Sequence, residues 1–154
     1  DTYASLHDKL MVLGGEAIVE ALPLLEQGKL VPRKQEDALS CYAHLIDKTM
    51  GELDFTKSAE ILDRLIRGLN PWPSAYTTYH GKQLKVWEAE PVESPKAGKP
   101  GEILAVEKDA VLVAAGSGAL RITSLQLSGK KRMSAHDFLL GVRMTPGEIL
   151  GCEE

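Results

Sequence analysis

Hydrophobic positions recur at intervals of three and four residues over the first part of the chain. The stripe consists of Leu6, Leu10, Leu13, Ala17, Ala21 and Leu24, widened by Met11, Ile18, Leu22 and Leu25. This spacing predicts one amphipathic helix over residues 5–26, with Ser5 as N-cap and an end at residues 27–29. Pro23 is expected to kink or restart its last turn. We do not expect this chain to supply the partner surface that such a stripe needs.

A second helix follows a stretch without sustained periodicity. Residues 29–57 are predicted to be a linker, extended at its polar beginning. Ser58 is placed to cap the next helix, with Glu60 in its first turn. Its predicted apolar face consists of Ile61, Leu62, Leu65, Ile66 and Leu69. The Asn-Pro-Trp-Pro run at residues 70–73 predicts a sharp end, because proline cannot continue the helical hydrogen bonds.

From residue 75 onward the period of the pattern changes to two, which is typical of strands. The predicted strands are residues 75–79, 83–90, 102–107, 110–114 and 119–127. The first two form a hairpin through His80-Gly81, with Leu84, Val86 and Ala89 facing inward. The other connections are a loop at 91–101 and turns at 108–109 and 116–118.

The end of the chain adds a short helix and one further strand. Ser134 is expected to cap a helix over residues 135–140, with Asp137 at its third position. Pro146-Gly147 and residues 148–150 are expected to return one more strand. A mainly β fold follows: a small OB-like Greek-key barrel of five to six strands, preceded by two helices and a linker. A five-stranded sandwich is the alternative. The predicted boundaries are 1–28 for the first helix, 29–57 for the linker and 58–154 for the helix with its barrel.

Charge is distributed unevenly along the 154 residues, whose formal net charge is −4. Residues 1–56 hold 5 Lys and Arg against 10 Asp and Glu, whereas residues 57–144 hold 13 against 9. The last ten residues add three acids and no base. Such asymmetry suggests that the middle and later part faces a polyanion, although a solvated surface of mixed charge explains it equally well.

The chemistry-bearing residues form no catalytic constellation in the sequence. His7, His44, His80 and His136 have no ligand spacing, and Gly116-Ser117-Gly118 indicates a turn because no helix follows it. Cys41 and Cys152 match no metal or redox pattern, so we expect reduced thiols in a cytoplasmic protein. No signal for secretion is present, and no apolar run approaches the roughly 20 residues that span a bilayer. A first residue other than Met suggests a fragment or a processed product.

The basic run Gly129-Lys130-Lys131-Arg132 stands between a strand and a helix start. Three adjacent cations can neutralise two or three phosphates, and each neutralised phosphate strengthens binding by releasing counterions. Lys82 and Lys85 add charge to the first hairpin, and Arg64 and Arg67 share one face of the second helix. These groups form a binding stripe if the fold brings them together. If it scatters them, they are only solvated charges.

Five blocks of sequence resemble methionyl-tRNA formyltransferases, in the family's order. Residues 1–10 are similar to D-T-x-x-[ST]-L-x-D-K-L, and Tyr42-Ala43 with residues 52–55 are similar to Y-A…I-D-W, with Phe55 in place of Trp. Residues 64–75 match I-R-A-x-N-P-W-P-x-A, and Lys85-Val86-Trp87 and residues 100–104 follow as expected. Residues 125–141 resemble L-Q-x-x-G-K-K-x-M-x-x-x-D-F-L-x-G. The resemblance spans essentially the whole chain.

This resemblance implies the C-terminal part of an enzyme that acts in translation initiation. The family transfers a formyl group from 10-formyltetrahydrofolate to the methionine amine of initiator Met-tRNA. Its catalytic residues and folate site lie in an N-terminal formyltransferase domain, so none is carried over here, and no metal is implied. The part that carries over is a barrel that helps to hold the tRNA. The expected tRNA contacts are Arg67, Lys82, Lys85, Lys130, Lys131 and Arg132, and the helix at 5–26 is expected to pack on the N-terminal domain.

Two other functions remain open at this stage. The second is that of the equivalent domain of a sugar-nucleotide formyltransferase or of a folate-hydrolysing relative, which binds no tRNA. The basic run at residues 129–132 favours the first function over this one. A stand-alone interaction domain is the third. Trp72, between two prolines, is expected to be an interdomain or core anchor rather than a platform for a base.

Overall fold

The computed structural model describes residues 1–94 and 96–151. Pro95, in the predicted loop, and Cys152 lie outside the described residues. The first helix, α1, runs from Tyr3 to Glu26, and its N-cap is Thr2. The N-cap prediction of Ser5 was wrong: Ser5 is the third helical residue, and its hydroxyl accepts from the Thr2 amide while its own amide donates to the Thr2 hydroxyl. This reciprocal pair is a capping box, which begins the helix three residues earlier than Ser5 alone would.

Helix α1 continues through Pro23 as one helix, so a restart of its last turn, one of the two expectations from the sequence, was wrong. Gln27 donates its amide to the Pro23 carbonyl, so the last turn is closed. None of the residues of α1, all of which are described, is buried. Most of the apolar stripe is therefore exposed, with Leu10, Leu13 and Leu25 each more than half accessible, and only Ala21 and Leu24 are partly covered.

The segment between the helices contains two short 3₁₀ helices, Asp37–Leu39 and Lys48–Gly51. Its last part belongs to the folded core, because Leu53 and Phe55 are buried in the main hydrophobic cluster. The second helix, α2, runs from Ala59 to Gly68, and the predicted cap is confirmed: the Ser58 hydroxyl accepts from the Ile61 amide. Leu62 and Ile66 are fully buried, whereas Ile61 is about half exposed and was wrongly assigned to the apolar face.

Six strands form one antiparallel sheet. They are β1 Ala75–Tyr79, β2 Lys82–Val92, β3 Ile103–Val106, β4 Val111–Ala114, β5 Ala119–Leu127 and β6 Met133–Ser134. Their order is β1-β2-β5-β4-β3, and β6 pairs with β5. The long strands β2 and β5 lie side by side at the centre, so all described strands share one sheet and the two-sheet sandwich is excluded. The mainly β fold with flanking helices is confirmed.

The segment at residues 147–151 connects the two outer strands of the sheet. Gly147 donates to the Ile103 carbonyl of β3, and Ile103 donates to the Glu148 carbonyl. Gly151 donates to the Thr78 carbonyl of β1. These bonds connect β3 to β1 and so close the sheet in the manner of a small barrel. The sixth strand was predicted at 148–150, but only Ile149 makes an isolated bridge there, and β6 lies at Met133–Ser134 instead.

Helix α2 and the third helix, α3 (Ala135–Gly141), cover the barrel core. Leu62 and Ile66 of α2 and Phe138 of α3 belong to the same buried cluster as the inward residues of β2, β4 and β5. The expected cap of α3 is confirmed, since the Ser134 hydroxyl accepts from the Asp137 amide. Trp72 is about half exposed, so it is not a core residue.

Candidate nucleic-acid interface

The pairing between β2 and β5 is interrupted at Trp87. Val86 pairs with Leu125 and Glu88 pairs with Ser124, so Trp87 has no partner of its own on β5. This arrangement is a β-bulge, which bends a strand and re-aims a side chain. The carbonyl of Trp87 accepts instead from the Asn70 side-chain amide at 3.1 Å, which ties β2 to the end of α2.

The basic run forms a turn between β5 and β6, here called the basic loop (residues 128–132). Gly129 adopts a φ of 78°, a conformation that favours glycine. The amide of Lys130 donates to the Leu127 carbonyl, which closes the turn. Ser128 donates its amide to the Gln83 carbonyl at 2.9 Å, so the loop lies next to the start of β2 and therefore next to Lys82.

The indole of Trp87 lies between two cations and one amide. Lys85 Nζ is 5.8 Å from the ring centroid, and Arg132 Cζ is 5.1 Å from it. Both distances are within the range of a cation–π interaction. The indole Nε1 donates to Gln126 Oε1 at 3.0 Å, and Gln126 Nε2 donates to the Lys130 carbonyl at 2.9 Å. The ring thus joins the β2 hairpin to the basic loop.

Five of the six predicted contact residues lie in the first part of β2 or in the basic loop, at one end of the β2–β5 pair, and they define the cationic surface. They are Lys82, Lys85, Lys130, Lys131 and Arg132. Within residues 1–94 and 96–151, the ammonium groups of Lys82, Lys130 and Lys131 have no carboxylate partner. Arg132, by contrast, is bound to Glu88 and donates its Nε to the Ser124 hydroxyl. Three lysines therefore offer unneutralised charge to solvent.

Arg67 has different contacts from the other five. Its Nε and Nη2 form a forked pair with the Asp63 carboxylate at 2.9–3.2 Å. Its Nη1 donates to the Asp1 carbonyl at 2.9 Å. The hydrogen bonds that the Arg67 guanidinium donates to Asp63 raise its pKa above the ordinary value. Arg67 therefore connects α2 to the start of α1, and its charge is balanced by Asp63.

The far end of β2 has the opposite charge. Arg121 of β5 is bound to Glu107 at 2.9 Å, to Glu90 at 3.0 Å and to Asp109 at 2.9 Å. The hydrogen bonds that Arg121 donates to Glu107, and then to Glu90, raise the pKa of its guanidinium. Three carboxylates around one guanidinium leave a net negative group, so the surface along β2 changes from cationic to acidic.

The described residues contain no cluster of three or more His, Cys, Asp or Glu that could hold a metal ion. Cys41 is an exposed free thiol. His136 contacts Asp137 within α3, and Ser134 followed by His136 lowers the pKa of that carboxyl. In the part of the chain that is described, no helix combines the length and the apolarity that a bilayer span requires.

Comparison with known families assigns the chain. The family described as formyl transferase, C-terminal domain, matches residues 45–143, which include α2, the whole sheet and the basic loop. The chain belongs to this family. The match confirms the resemblance that the motif blocks indicated, and the shared region carries both strands and the turn that form the cationic surface.

The chain is similar along nearly its whole length to methionyl-tRNA formyltransferases from several bacteria. The methionyl-tRNA formyltransferase of Geobacter metallireducens is 49% identical over 147 residues, which are 96% of this chain and 47% of that protein. The methionyl-tRNA formyltransferase of Bacillus subtilis is 41% identical over 152 residues, or 98% of this chain and 48% of that protein. The chain therefore spans about half the length of the curated relatives it matches.

Solved structures contain the same formyltransferase domain. HypX from Aquifex aeolicus, determined in complex with tetrahydrofolic acid, superposes with a TM-score of 0.57 at 25% identity. The match covers 80% of this chain and 22% of HypX. A variant of HypX gives a TM-score of 0.58 at 26% identity. The fold is thus shared with a larger protein in which this domain is one part.

Sequence reasoning about this formyltransferase domain missed two residues of the interface, Trp87 and Gln126. Trp87 entered only as a letter of a family motif, and Gln126 had no assigned role. A signal was available, because the period of two places Lys85 and Trp87 on one face of a regular strand. The bulge at Trp87 and the pairing of Lys85 with Gln126 require the register of β2 against β5.

Proposed function

We propose that this chain is the tRNA-positioning C-terminal region of a methionyl-tRNA formyltransferase. The whole enzyme would transfer a formyl group from 10-formyltetrahydrofolate to the methionine amine of initiator Met-tRNA, for translation initiation in the cytoplasm. The observation that carries the proposal is the cationic surface, on which Lys82, Lys130 and Lys131 present charge without carboxylate partners in the described chain. Unneutralised lysines on a fixed turn suit phosphates, because each contact releases condensed counterions.

The formyl donor is assigned to the N-terminal formyltransferase domain, outside this chain. HypX, which shares the fold, was solved with tetrahydrofolic acid, and this supports folate as the donor's chemical class. A cleft of about 460 Å³ lies on the exposed face of α1 and is lined by Tyr3, Leu6, His7, Leu10 and Met11. Its lining is mainly apolar, which suits a protein partner, and the proposal assigns no catalytic step to this chain.

The partner proposed for α1 is the same N-terminal domain. The helix exposes Leu10, Leu13 and Leu25 to more than half, a contiguous apolar surface that is costly in water. Its N-terminal end is fixed to this chain, because the Ala4 amide donates to the Asn70 carbonyl and Arg67 donates to Asp1. In the proposal, α1 therefore connects this region to the N-terminal domain. Trp72, about half exposed beside this junction in sequence, is proposed as a second anchor.

Binding of this chain to deacylated initiator tRNA over a series of salt concentrations tests the proposal. Lys130→Ala/Lys131→Ala removes two charges from the basic loop, and Lys96→Ala/Lys108→Ala removes two charges elsewhere. We expect micromolar binding whose log–log salt slope is reduced by about 1–2 in the loop variant and is unchanged in the control. Equal slopes, or no binding at low salt, would contradict tRNA positioning. Such a result favours a sugar-nucleotide formyltransferase or a folate-hydrolysing relative.

A further inference from the structure

We infer that Trp87 is a positioning residue, which holds the basic loop in the conformation that meets the nucleic acid. The inference rests on the proposed function and deepens it, because it states how the charge of the cationic surface is fixed in place. Trp87 is the residue at the bulge between β2 and β5, and three separate segments meet at it.

The first connection is through the backbone. Because Trp87 is unpaired in the β2–β5 ladder, its carbonyl is available for the Asn70 amide, at 3.1 Å. Asn70 follows α2 directly, and α2 is fixed to the core by Leu62 and Ile66, which are buried. The bulge is thus tied to a helix that packs on the core, and a bulge re-aims the side chain of its residue.

The second connection is a chain of two hydrogen bonds. Trp87 Nε1 donates to Gln126 Oε1 at 3.0 Å, and Gln126 Nε2 donates to the Lys130 carbonyl at 2.9 Å. Gln126 uses its acceptor on one side and its donor on the other, so a single amide orientation satisfies both bonds. Lys130 is the first lysine of the basic loop, and its backbone is otherwise held only by the turn bond to Leu127.

The third connection is electrostatic. Lys85 and Arg132, which come from β2 and from the basic loop, both lie within 6 Å of the ring centroid. The positive charges of Lys85 and Arg132 repel each other, and the negative face of the indole offsets this repulsion where β2 and the basic loop meet. Arg132 is held further by Glu88 and Ser124. Lys130 and Lys131 are therefore the loop cations that remain for phosphates, and Arg132 acts mainly as a clamp.

This geometry does not fit a stacking platform for a base. Two cations lie against the indole, its N–H is already bound to Gln126, and the side chain is only partly exposed. A platform for a base presents an open aromatic face instead. Trp87 is therefore expected to act through the lysines of the basic loop. A double-mutant cycle distinguishes this indirect effect from a direct contact of Trp87 with the nucleic acid.

The experiment uses two variants that break the chain of hydrogen bonds in different ways. Trp87→Phe keeps an aromatic ring and removes the N–H, and Gln126→Leu keeps the size of the side chain and removes both bonds. Tyr42→Phe is the control at an exposed aromatic residue outside the proposed interfaces. Amide hydrogen exchange without tRNA is measured first. We expect exchange at residues 128–132 to accelerate about fivefold or more in both variants, with the core amides of β4 and β5 unchanged.

Affinity for initiator tRNA is then measured in each variant alone and combined with Lys130→Ala/Lys131→Ala. We expect each single variant to bind roughly fivefold more weakly and the combined variant to bind no more weakly than Lys130→Ala/Lys131→Ala alone. Unchanged exchange in the basic loop of both variants, or losses of affinity that multiply, would overturn the positioning role. If Lys130→Ala/Lys131→Ala itself leaves the affinity unchanged, the proposed function fails instead, and the exchange data still decide the role of Trp87.

Discussion

The hydroxyl of Tyr79 donates a hydrogen bond to Glu148 Oε2 at 3.1 Å, and so joins β1 to the segment that closes the sheet. Tyr79 is buried, and the same hydroxyl lies 3.2 Å from the Arg143 carbonyl. The amide of Thr145 donates to the same carboxylate oxygen of Glu148. Burial by itself raises the pKa of Glu148, but the hydrogen bonds from Thr145 and Tyr79 lower it overall. The closing segment is therefore held by a buried polar contact as well as by its backbone bonds.

This contact predicts a loss of stability at alkaline pH. Burial, followed by the hydrogen bond to Glu148, raises the pKa of Tyr79 to about 12. An unfolded tyrosine ionises near about pH 10, so the stability from Tyr79 is fully present below that pH and is lost as pH rises towards the folded value. We expect the free energy of unfolding to fall by roughly 2–3 kcal/mol over this interval.

Urea unfolding between neutral and alkaline pH measures the effect. Tyr79→Phe is expected to flatten the alkaline part of the profile and to cost about 1 kcal/mol at neutral pH, where the lost hydrogen bond is the main change. Tyr3→Phe, at a tyrosine that is about half exposed, is the control and should not change how the free energy of unfolding depends on pH. An alkaline decline of equal size in Tyr79→Phe would show that another group is responsible.

The two faces of α2 are expected to respond differently to truncation. Leu62 is buried in the barrel core, so Leu62→Ala should lower the free energy of unfolding by about 2–5 kcal/mol through lost burial and a cavity. Ile61, its neighbour, is about half exposed, and Ile61→Ala should cost less than about 1 kcal/mol. Chemical denaturation of both variants checks the difference. Similar losses would place Ile61 in the core, as its spacing in the sequence suggested.

Gly116 allows two segments to approach closely. A Cβ added at this position would lie 1.9 Å from the Thr56 carbonyl oxygen, and the Gly116 amide donates to the Lys57 carbonyl. Gly116→Ala is expected to separate the β4–β5 turn from the start of α2 and to cost about 3 kcal/mol. Gly141→Ala, where no atom lies within 4 Å, should leave stability unchanged or slightly raised. Equal thermal midpoints for the two variants would contradict the close approach.

Arg67 is expected to affect α1 more than tRNA affinity. Arg67→Met keeps the apolar stem and removes the donors to Asp63 and Asp1, so amide exchange in the first turn of α1 should accelerate. Because Asp63 balances its charge, the loss of tRNA affinity should be smaller than in Lys131→Ala, and the salt slope should change by less than about 1. Isothermal titration against initiator tRNA measures both. A loss equal to that of Lys131→Ala would instead place a phosphate at Arg67.

Several features of the fold followed from local physical chemistry, and the structure confirmed them. The β1–β2 hairpin has an Ala75–Tyr79 strand of period two and a His80-Gly81 turn, in which both residues have positive φ. The caps at Ser58 and Ser134 were predictable because a capping hydroxyl bonds to an amide three residues away. Such contacts lie within one turn, so the sequence contains both partners side by side.

Other features depended on residues far apart in the chain. The sixth strand was predicted at 148–150 from a short apolar run, but that run crosses from β3 to β1 as a connecting segment. Leu53 and Phe55, from the stretch predicted as a linker, are buried in the barrel core. Their burial depends on which part of the core α2 and β1 leave uncovered. The sequence pattern of residues 29–57 shows no periodicity that would indicate this burial.

By itself the sequence determined the elements, the mainly β class, the family and the set of basic residues, because periodicity, caps, turns and motifs are local patterns. Only the tertiary structure decided which of those cations act together. The pairing of β2 with β5 places Lys85 opposite Gln126 and leaves Trp87 at the bulge, next to Arg132. The same packing turns Arg67 towards Asp63 and Asp1. Register and close packing set these distances, and charge interactions depend on distance rather than on order along the chain.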